Sequence, residues 1–435
     1  MKWDSLRIFV HLNARRIAFS FYIFLNIMII LFKFIGNPIF FFDSQNSTLI
    51  FINSLTKKGN IFKNNMANQR NNNTQNEKSI AKSTPFNYSL FPIDLVYTWV
   101  DGRDEKWLKE FNEANEERDI NISESDFFNR FVDTEELRYS LRSVEKNLPW
   151  IRYIFIVVWG NQRPEWINVQ NSKIKFISHS EIFPETVKLP TFNSKSIDFL
   201  LYKIPELSEH FIYSNDDMYF GQKLEITDFF TIEGKPIIYS KKNNWPGLHK
   251  KFIKFEKDYN KSHSDDFLFM ISMFYTLVCF EKKFNKIMSY EFSHIPIPLT
   301  KTICENVYLN FKNEIDITIS NRFRSPHDFQ MQTIMIQYGL LKNLSIVKLK
   351  NQNDAVFIAA SMNNHNFRHL HDLVDNVPKF MSINVDEMKN REFVKAFLDH
   401  IFNEMSSFEL KNKQPVIVDK LKNYWANKAY INNQR

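Results

Sequence analysis

The chain has 435 residues, 44% of them hydrophobic, enough apolar mass for one large domain or two ordinary ones, so a disordered protein is excluded. Its formal charge of +7 favours anionic partners such as nucleotides, phosphoglycans or membrane surfaces. The 49 acidic residues are nevertheless spread among 56 basic ones, so no nucleic-acid partner is expected. With only Cys279 and Cys304, a disulfide framework and a cysteine-based zinc site are excluded, while a single bridge or two separate thiols both stay open.

Residues 17–36, IAFSFYIFLNIMIILFKFIG, form a nearly unbroken apolar stretch whose length as a helix matches a hydrocarbon core. Arg7, His11, Arg15 and Arg16 precede it, and positive flanks stay cytosolic. The expectation is a cytosolic tail over 1–16, a single transmembrane anchor over 17–36 and the remainder on the other side of the membrane. From 43 to 90 the composition shifts to Asn, Lys, Ser and Thr, which predicts a flexible stem. Its glycosylation sequons are what an Asn-rich chain produces by chance.

The globular part is expected over 91–435. Ile93 to Val100, IDLVYTWV, reads as a buried strand stopped by Asp101-Gly102. A helix is predicted over 133–148: Asp133 and Glu136 have capping-box spacing, Leu137, Leu141, Val144 and Leu148 share a face, and Pro149 ends it. Arg138 and Arg142 lie on another face. Tyr153 to Trp159 and Lys173 to Ser178 read as further strands, and Ser196 to Leu207 as a second helix. His210 to Ser214 then looks like a strand ending in Asn215-Asp216-Asp217. Strands alternating with helices predict an α/β fold, a mainly parallel sheet with helices on both faces and ligands beyond the carboxyl ends of the strands. Beyond Trp245 the pattern turns mainly helical.

Adjacent carboxylates at a strand end, Asp216 and Asp217, suit a divalent cation bridging protein and diphosphate oxygens; the same tripeptide also makes an ordinary solvated turn. Asp101 could hold a nucleotide's ribose or base with Trp99 and Tyr97 as an apolar wall, or Trp99 could be core and Asp101-Gly102 a plain turn. Arg322 and Arg324, in NRFRSPHD, offer guanidinium forks for phosphate or surface salt bridges. His294 stands in SHIPIP, a Pro-stiffened segment that cannot be a regular helix, and is a candidate general base or a structural loop histidine. No P-loop, dinucleotide fingerprint, HExxH or GxSxG motif occurs, and with eight glycines in the chain, phosphate charge must be met by metal, Arg and Lys.

Several of these segments together resemble the Stealth family, sugar-1-phosphate transferases that include capsular polysaccharide phosphotransferases, xylosylphosphotransferases and a GlcNAc-1-phosphotransferase. IDLVYTWVDGRD at 93–104 is similar to its first region, and the run from Arg130 to Ile167, continuing through LPTFNSKSID to FIYSNDDMYFG, to its second. HIPIPLTKTI at 294–303 with RFRSPHD is similar to the third, and KFMSINVDE at 379–387, more weakly, to the fourth. The resemblance implies a Rossmann-like, glycosyltransferase-A-like fold. It implies Asp217, His294 and Arg324 as catalytic residues and Asp216, Asp217 and Asp386 as ligands of Mg²⁺ or Mn²⁺. Trp99, Asp101, Arg138 and Arg322 are the donor-binding candidates. The fourth region usually reads Ile-Asn-Asp, whereas Ile383 and Asn384 are followed here by Val385 and then Asp386. Cys is common where Ser382 stands. Either Asp386 serves after a backbone shift, or the site lacks that carboxylate.

The implied reaction moves a sugar-1-phosphate from a nucleotide-sugar, a UDP-sugar for instance, to a hydroxyl of a glycan or glycoprotein acceptor and releases a nucleoside monophosphate. An ordinary glycosyltransferase releasing UDP and a silent glycan-binding protein are the alternatives. The expected setting is the Golgi membrane with a lumenal catalytic domain in a eukaryote, or the cell envelope or cytoplasm in a bacterium, and an oligomer is compatible with all of this.

Overall fold

A computed structural model describes residues 40–43, 48–51 and 91–417, the last with gaps at 118–126, 128–129, 263–264, 292, 352, 361–369, 371, 386–387 and 416. The anchor expected over 17–36 lies outside the described residues, as does Asp386 and, apart from one hairpin, the stem. Among the described residues no helix is long and apolar enough to cross a membrane. The chain divides into two units, 1–87 and 88–435. In the first, β1 (Phe40–Asp43) and β2 (Thr48–Phe51) form an antiparallel hairpin.

The second unit is built on five strands in the order β5-β4-β3-β6-β9. Strands β3 (Ile93–Thr98), β4 (Ile154–Val158), β5 (Ile174–Ser178) and β6 (His210–Asn215) run parallel. They are the four strands expected from the apolar runs. The edge strand β9 (Ile297–Thr300) runs antiparallel to β6. Alternation along each strand sends side chains to opposite faces. Val96, Phe155, Val157, Phe211 and Tyr213 enter one core. Leu95, Tyr97, Ile154, Ile156, Val158 and Ile212 enter the other. Burial on both faces is why these strands read as continuous apolar runs.

Helix α1 (Glu105–Glu116) follows β3, capped by Asp104, whose carboxylate accepts from the N–H groups of Lys106 and Trp107. Helix α2 (Glu136–Asn147) lays Leu137, Leu141 and Val144 on the second core. It starts three residues later than the capping-box spacing predicted. Glu135 precedes it in the left-handed region at φ 70°, and the Glu136 carboxylate is taken by the backbone N–H and hydroxyl of Thr134. The helix expected over 196–207 is also replaced. A single turn, α4 (Ser194–Asp198), follows the equally short α3 (His179–Ile182) and leads to a 3₁₀ turn at Leu201–Lys203. Phe199, Leu200, Leu201 and Ile204 are all buried, so the segment has no solvated face to sustain an amphipathic helix.

After β6 come β7 (Met218–Phe220) and β8 (Ile237–Ser240). The C-terminal half supplies α5 (Leu248–Ser262), α6 (Asp265–Phe284), α7 (Lys301–Asn310), α8 (Lys312–Ser320), α9 (Met331–Leu341) and α10 (Met388–Ile401). Helices α7 and α9 cover the first core through Ile303, Val307, Ile334 and Met335, so the sheet has helices on both faces. Strands were not anticipated here, yet β10 (Ile346–Leu349) pairs with β8, and β11 (Ala355–Ala360) and β12 (Phe380–Val385) join β7 in a three-stranded sheet ordered β11-β12-β7. Cys279 and Cys304 are separate thiols.

Candidate active site

The site grows from the carboxyl end of β6. Thr98 of β3 is opposite Asn215 of β6, so Trp99 to Asp101 and Asp216-Asp217 leave the sheet at one edge. The antiparallel register of β9 on β6 pairs Ile297 with Tyr213. Continuing that register backwards brings the residues before Ile297 past the same edge, and His294 arrives with Nε2 3.3 Å from Oδ2 of Asp217. A separation of 77 positions hides this pair from any sequence window.

Strand β12 braces both members. Ile383 donates its N–H to the Asp217 carbonyl at 3.1 Å. The buried Ser382 hydroxyl donates to the His294 carbonyl at 2.7 Å. The Phe357 ring on the neighbouring strand meets the His294 ring edge-on, with centroids 5.2 Å apart. The fourth segment therefore serves the site through Ser382 and Ile383, whereas Asn384 is exposed and Val385 pairs in register with Ala360 of β11.

Carboxylates gather here. Asp216 is pushed well above the ordinary carboxylate range, first by burial and then by the charges of Asp217, Glu136 and Asp133. Asp133 is raised to about 7, again mainly by burial, with Glu136 adding to it. Both Asp133 and Glu136 were read as helix-capping residues, and only the close packing of α2 against β7 makes them part of the acidic cluster. Arg391 of α10, whose Nη1 donates to the Val132 carbonyl at 2.9 Å, adds its positive charge to the same cluster. Gly102 holds the arrangement together: its N–H donates to the Phe131 carbonyl at 2.8 Å, and a Cβ at Gly102 would lie 2.6 Å from that oxygen.

A second group of polar residues lies around α4. The Arg324 Nη2 donates to Ser194 Oγ at 3.2 Å. Buried Asp198 accepts from the Tyr213 hydroxyl at 2.7 Å and from Gln332 at 3.3 Å; burial lifts its carboxyl to about 6 despite these bonds and the charges of Arg324 and Lys195. Tyr213 is on β6, so this group and the Asp216 group share one strand. Asp328 fixes the Arg-bearing loop, accepting from Asn193 at 2.9 Å, Asn321 at 2.6 Å and the Ser325 N–H at 2.8 Å.

The other candidates fall differently. Arg322 donates Nε to the Pro190 carbonyl at 3.0 Å and lies over the Phe192 ring, 5.5 Å from its centroid, which packs the loop. Asp101 is at the expected edge, but its Oδ1 accepts from the Arg103 N–H at 2.9 Å, as in a plain turn, and Gln162 brackets its backbone. Trp99 is buried in the second core. Arg138 is corrected as well: it is 1% exposed, paired with Glu135 at 2.6 Å and Glu409 at 3.4 Å, donates to the Lys413 carbonyl and stacks over Trp166. Its charge is spent on joining α2 to the C-terminal segment.

Oδ1 of Asp217 is buried without a hydrogen-bond partner, and the crowded charges around Asp216 would be relieved by a divalent ion. Among the described residues no group of three or more His, Cys, Asp or Glu side chains is arranged to hold an ion by itself. Two carboxylates completed by phosphate oxygens and water are what Mg²⁺ accepts, so the residues fit.

Comparison with known proteins bears on the same segments. Residues 91–118, 130–238 and 293–339 match the models for Stealth protein conserved regions 1, 2 and 3. The chain is 34% identical over 311 residues to the capsular polysaccharide phosphotransferase fcs1 of Haemophilus influenzae, covering 71% of this chain and 80% of that protein. It is 32% identical over 251 residues to the exopolysaccharide phosphotransferase SCO6023 of Streptomyces coelicolor, covering 57% of this chain but only 40% of that protein. It is 32% identical over 252 residues to the capsular polysaccharide phosphotransferase of Neisseria meningitidis serogroup B, covering 57% and 64%. Among solved structures, the galactosyltransferase LgtC with donor and acceptor sugar analogues superposes with a TM-score of 0.36 at 11% identity, covering 72% of this chain and 96% of that one.

Proposed function

Because the chain belongs to the Stealth family, we propose that it transfers a sugar-1-phosphate from a nucleotide-sugar to a hydroxyl of an acceptor glycan, with the site at the carboxyl end of β6 as its reaction centre. The observation that carries this reading is the His294–Asp217 pair beside Asp216. The acceptor oxygen attacks the phosphorus attached to the donor sugar. A new O–P bond forms, the P–O bond to the other phosphate breaks, and the nucleoside monophosphate leaves while the sugar C1–O bond is untouched.

With Nε2–H donated to Asp217, Nδ1 of His294 carries the lone pair that takes the acceptor's proton. Asp217 orients the ring and offsets the charge that develops on it. Arg324, next to Ser194, meets the diphosphate with a fork of donors. Asp216 and Asp217 would hold Mg²⁺ or Mn²⁺, which when bound would neutralise charge on the departing phosphate. Asp386 stays in the proposal as a third ligand. Positioning and charge stabilisation are most of what phosphoryl transfer asks of a protein. The glycosyltransferase-A-like arrangement, and anchoring through residues 17–36 in the membrane where the acceptor glycan is built, belong to the same proposal. Membrane fractionation of a 17–36 deletion tests the anchor.

The deciding experiment supplies UDP-sugars, Mg²⁺ or Mn²⁺ and acceptor glycans and identifies the nucleotide released. UMP with a phosphodiester-linked product supports the proposal, whereas UDP release overturns it. Asp217→Ala should abolish turnover while leaving the fold intact, and unchanged turnover would remove Asp217 from the mechanism.

A further inference from the structure

Helix α5 lies between the stretches that match the family models, so it is not part of the machinery those regions describe. Its sequence, LHKKFIKFEKDYNKS, divides cleanly by face. Leu248, Phe252 and Phe255 pack with Phe274 and Leu277 of α6, and Tyr259 packs with Leu268 and Ile271. The opposite face carries Lys250, Lys254, Lys257 and Lys261, all exposed. At about 100° per residue these four lie within an arc of about 60°, and at 1.5 Å per residue they form a line about 16 Å long. None of Lys250, Lys254 and Lys257 pairs with a carboxylate among the described residues. The helix's own acids are half-buried on its flanks, and Glu256 points inward to His327, 3.0 Å away.

The stripe is linked to the site through side-chain contacts. His327 is three residues beyond Arg324, and its ring contacts Phe252 of α5 and Tyr275 of α6. Lys195, next to the Ser194 that Arg324 holds, donates to Ser272 of α6.

We propose that this lysine stripe is a docking rail for the acceptor, a linear glycan already carrying phosphodiesters, and that it holds the extended chain while its end lies in the reaction centre. The inference rests on the phosphotransfer reading, because each transfer leaves one more negative charge on the glycan and a grown acceptor is a polyanion. Charge complementarity selects the partner. A single exposed lysine contributes little, being screened by water and salt, but a row facing a row of phosphates acts together. A bilayer fits less well. The apolar face of α5 is used inside the protein, and Ile253 is the one strongly exposed large hydrophobic residue on the helix, too little for interfacial insertion.

The test uses the purified full chain and a fluorescent ten-unit poly(glycerol phosphate), with neutral dextran of similar length as control. Wild type should bind the polyanion and not the dextran. The triple variant Lys250→Gln/Lys254→Gln/Lys257→Gln should bind about tenfold more weakly at low salt, with the slope of log affinity against log salt reduced by about 2. Nucleotide release with a small neutral acceptor should be unchanged. Equal binding by variant and wild type overturns the rail. So does a variant that keeps polyanion affinity but loses binding to phosphatidylglycerol vesicles, which would make the stripe a membrane contact. Binding needs no turnover, so failure here is distinguishable from failure of the UMP assay.

Discussion

Replacing Ser382 with Ala removes one hydroxyl whose bond goes to the backbone of His294, and it should slow the reaction. The hydroxyl is buried and donates at 2.7 Å to the carbonyl of His294, whose Nε2 is 3.3 Å from Asp217. A typical buried hydrogen bond contributes about 1 kcal/mol net, and leaving a carbonyl poorly satisfied raises the loss to about 1–3 kcal/mol. In a domain of this size that lowers Tm by about 2 °C per kcal/mol, readable by calorimetry. The Asp217 side is still held by the Ile383 backbone, so the fold should persist while the imidazole drifts from its partner. Loss of about 1.4 kcal/mol of transition-state positioning is a tenfold drop in kcat. Donor KM should be unchanged. Ser382→Cys, nearly the same shape with a weaker donor, should fall between the two. If Ser382→Ala lowers Tm but leaves kcat at the wild-type value, the brace is purely structural and the assignment of His294 to proton transfer loses its support.

Glu409 is buried and binds Arg142 through two bonds at 2.8 and 2.9 Å, with Arg138 at 3.4 Å; Glu409→Gln should cost about 3 kcal/mol in urea unfolding, because each buried guanidinium loses one of its two carboxylate partners and keeps only Asp399 at 3.3 Å or Glu135 at 2.6 Å. A loss under about 1 kcal/mol would mean that water or other groups already compensate them. His179 is buried, and desolvation lowers its pKa to about 4 from 6.5. The fold favours its neutral form, so this contribution is fully present above pH 6.5 and is lost as pH falls towards 4. The upper bound is about 3 kcal/mol. Wild type should therefore lose stability over that window relative to His179→Phe, and parallel pH–stability curves for the two proteins would contradict the burial argument.

The main strands were legible because a strand buried on both faces leaves a local mark: an uninterrupted β-branched and apolar run between polar turns. Asp216, Asp217 and His294 were singled out from residue type and position, and the register of β9 on β6 places them together. Arg138 was misread because a basic residue on the polar side of an amphipathic pattern looks solvent-facing. One counter-charge, Glu135, is local, but the other, the buried Glu409, is 271 positions away, and nothing local announces the burial they share. The Asp133 and Glu136 capping signal was real chemistry with another destination, since the left-handed Glu135 starts the helix later and leaves both carboxylates beside Asp216.

The sequence by itself determined the α/β alternation, the family and the candidate site residues, because each is encoded in residue type over short stretches. Tertiary structure alone decided the rest. That His294 faces Asp217, that β12 braces both, and that a lysine row stands on a helix tied to the arginine loop all depend on which edge a strand joins and in what register. Those choices are set by the burial of whole faces against distant segments, a property of the packed chain rather than of any stretch within it.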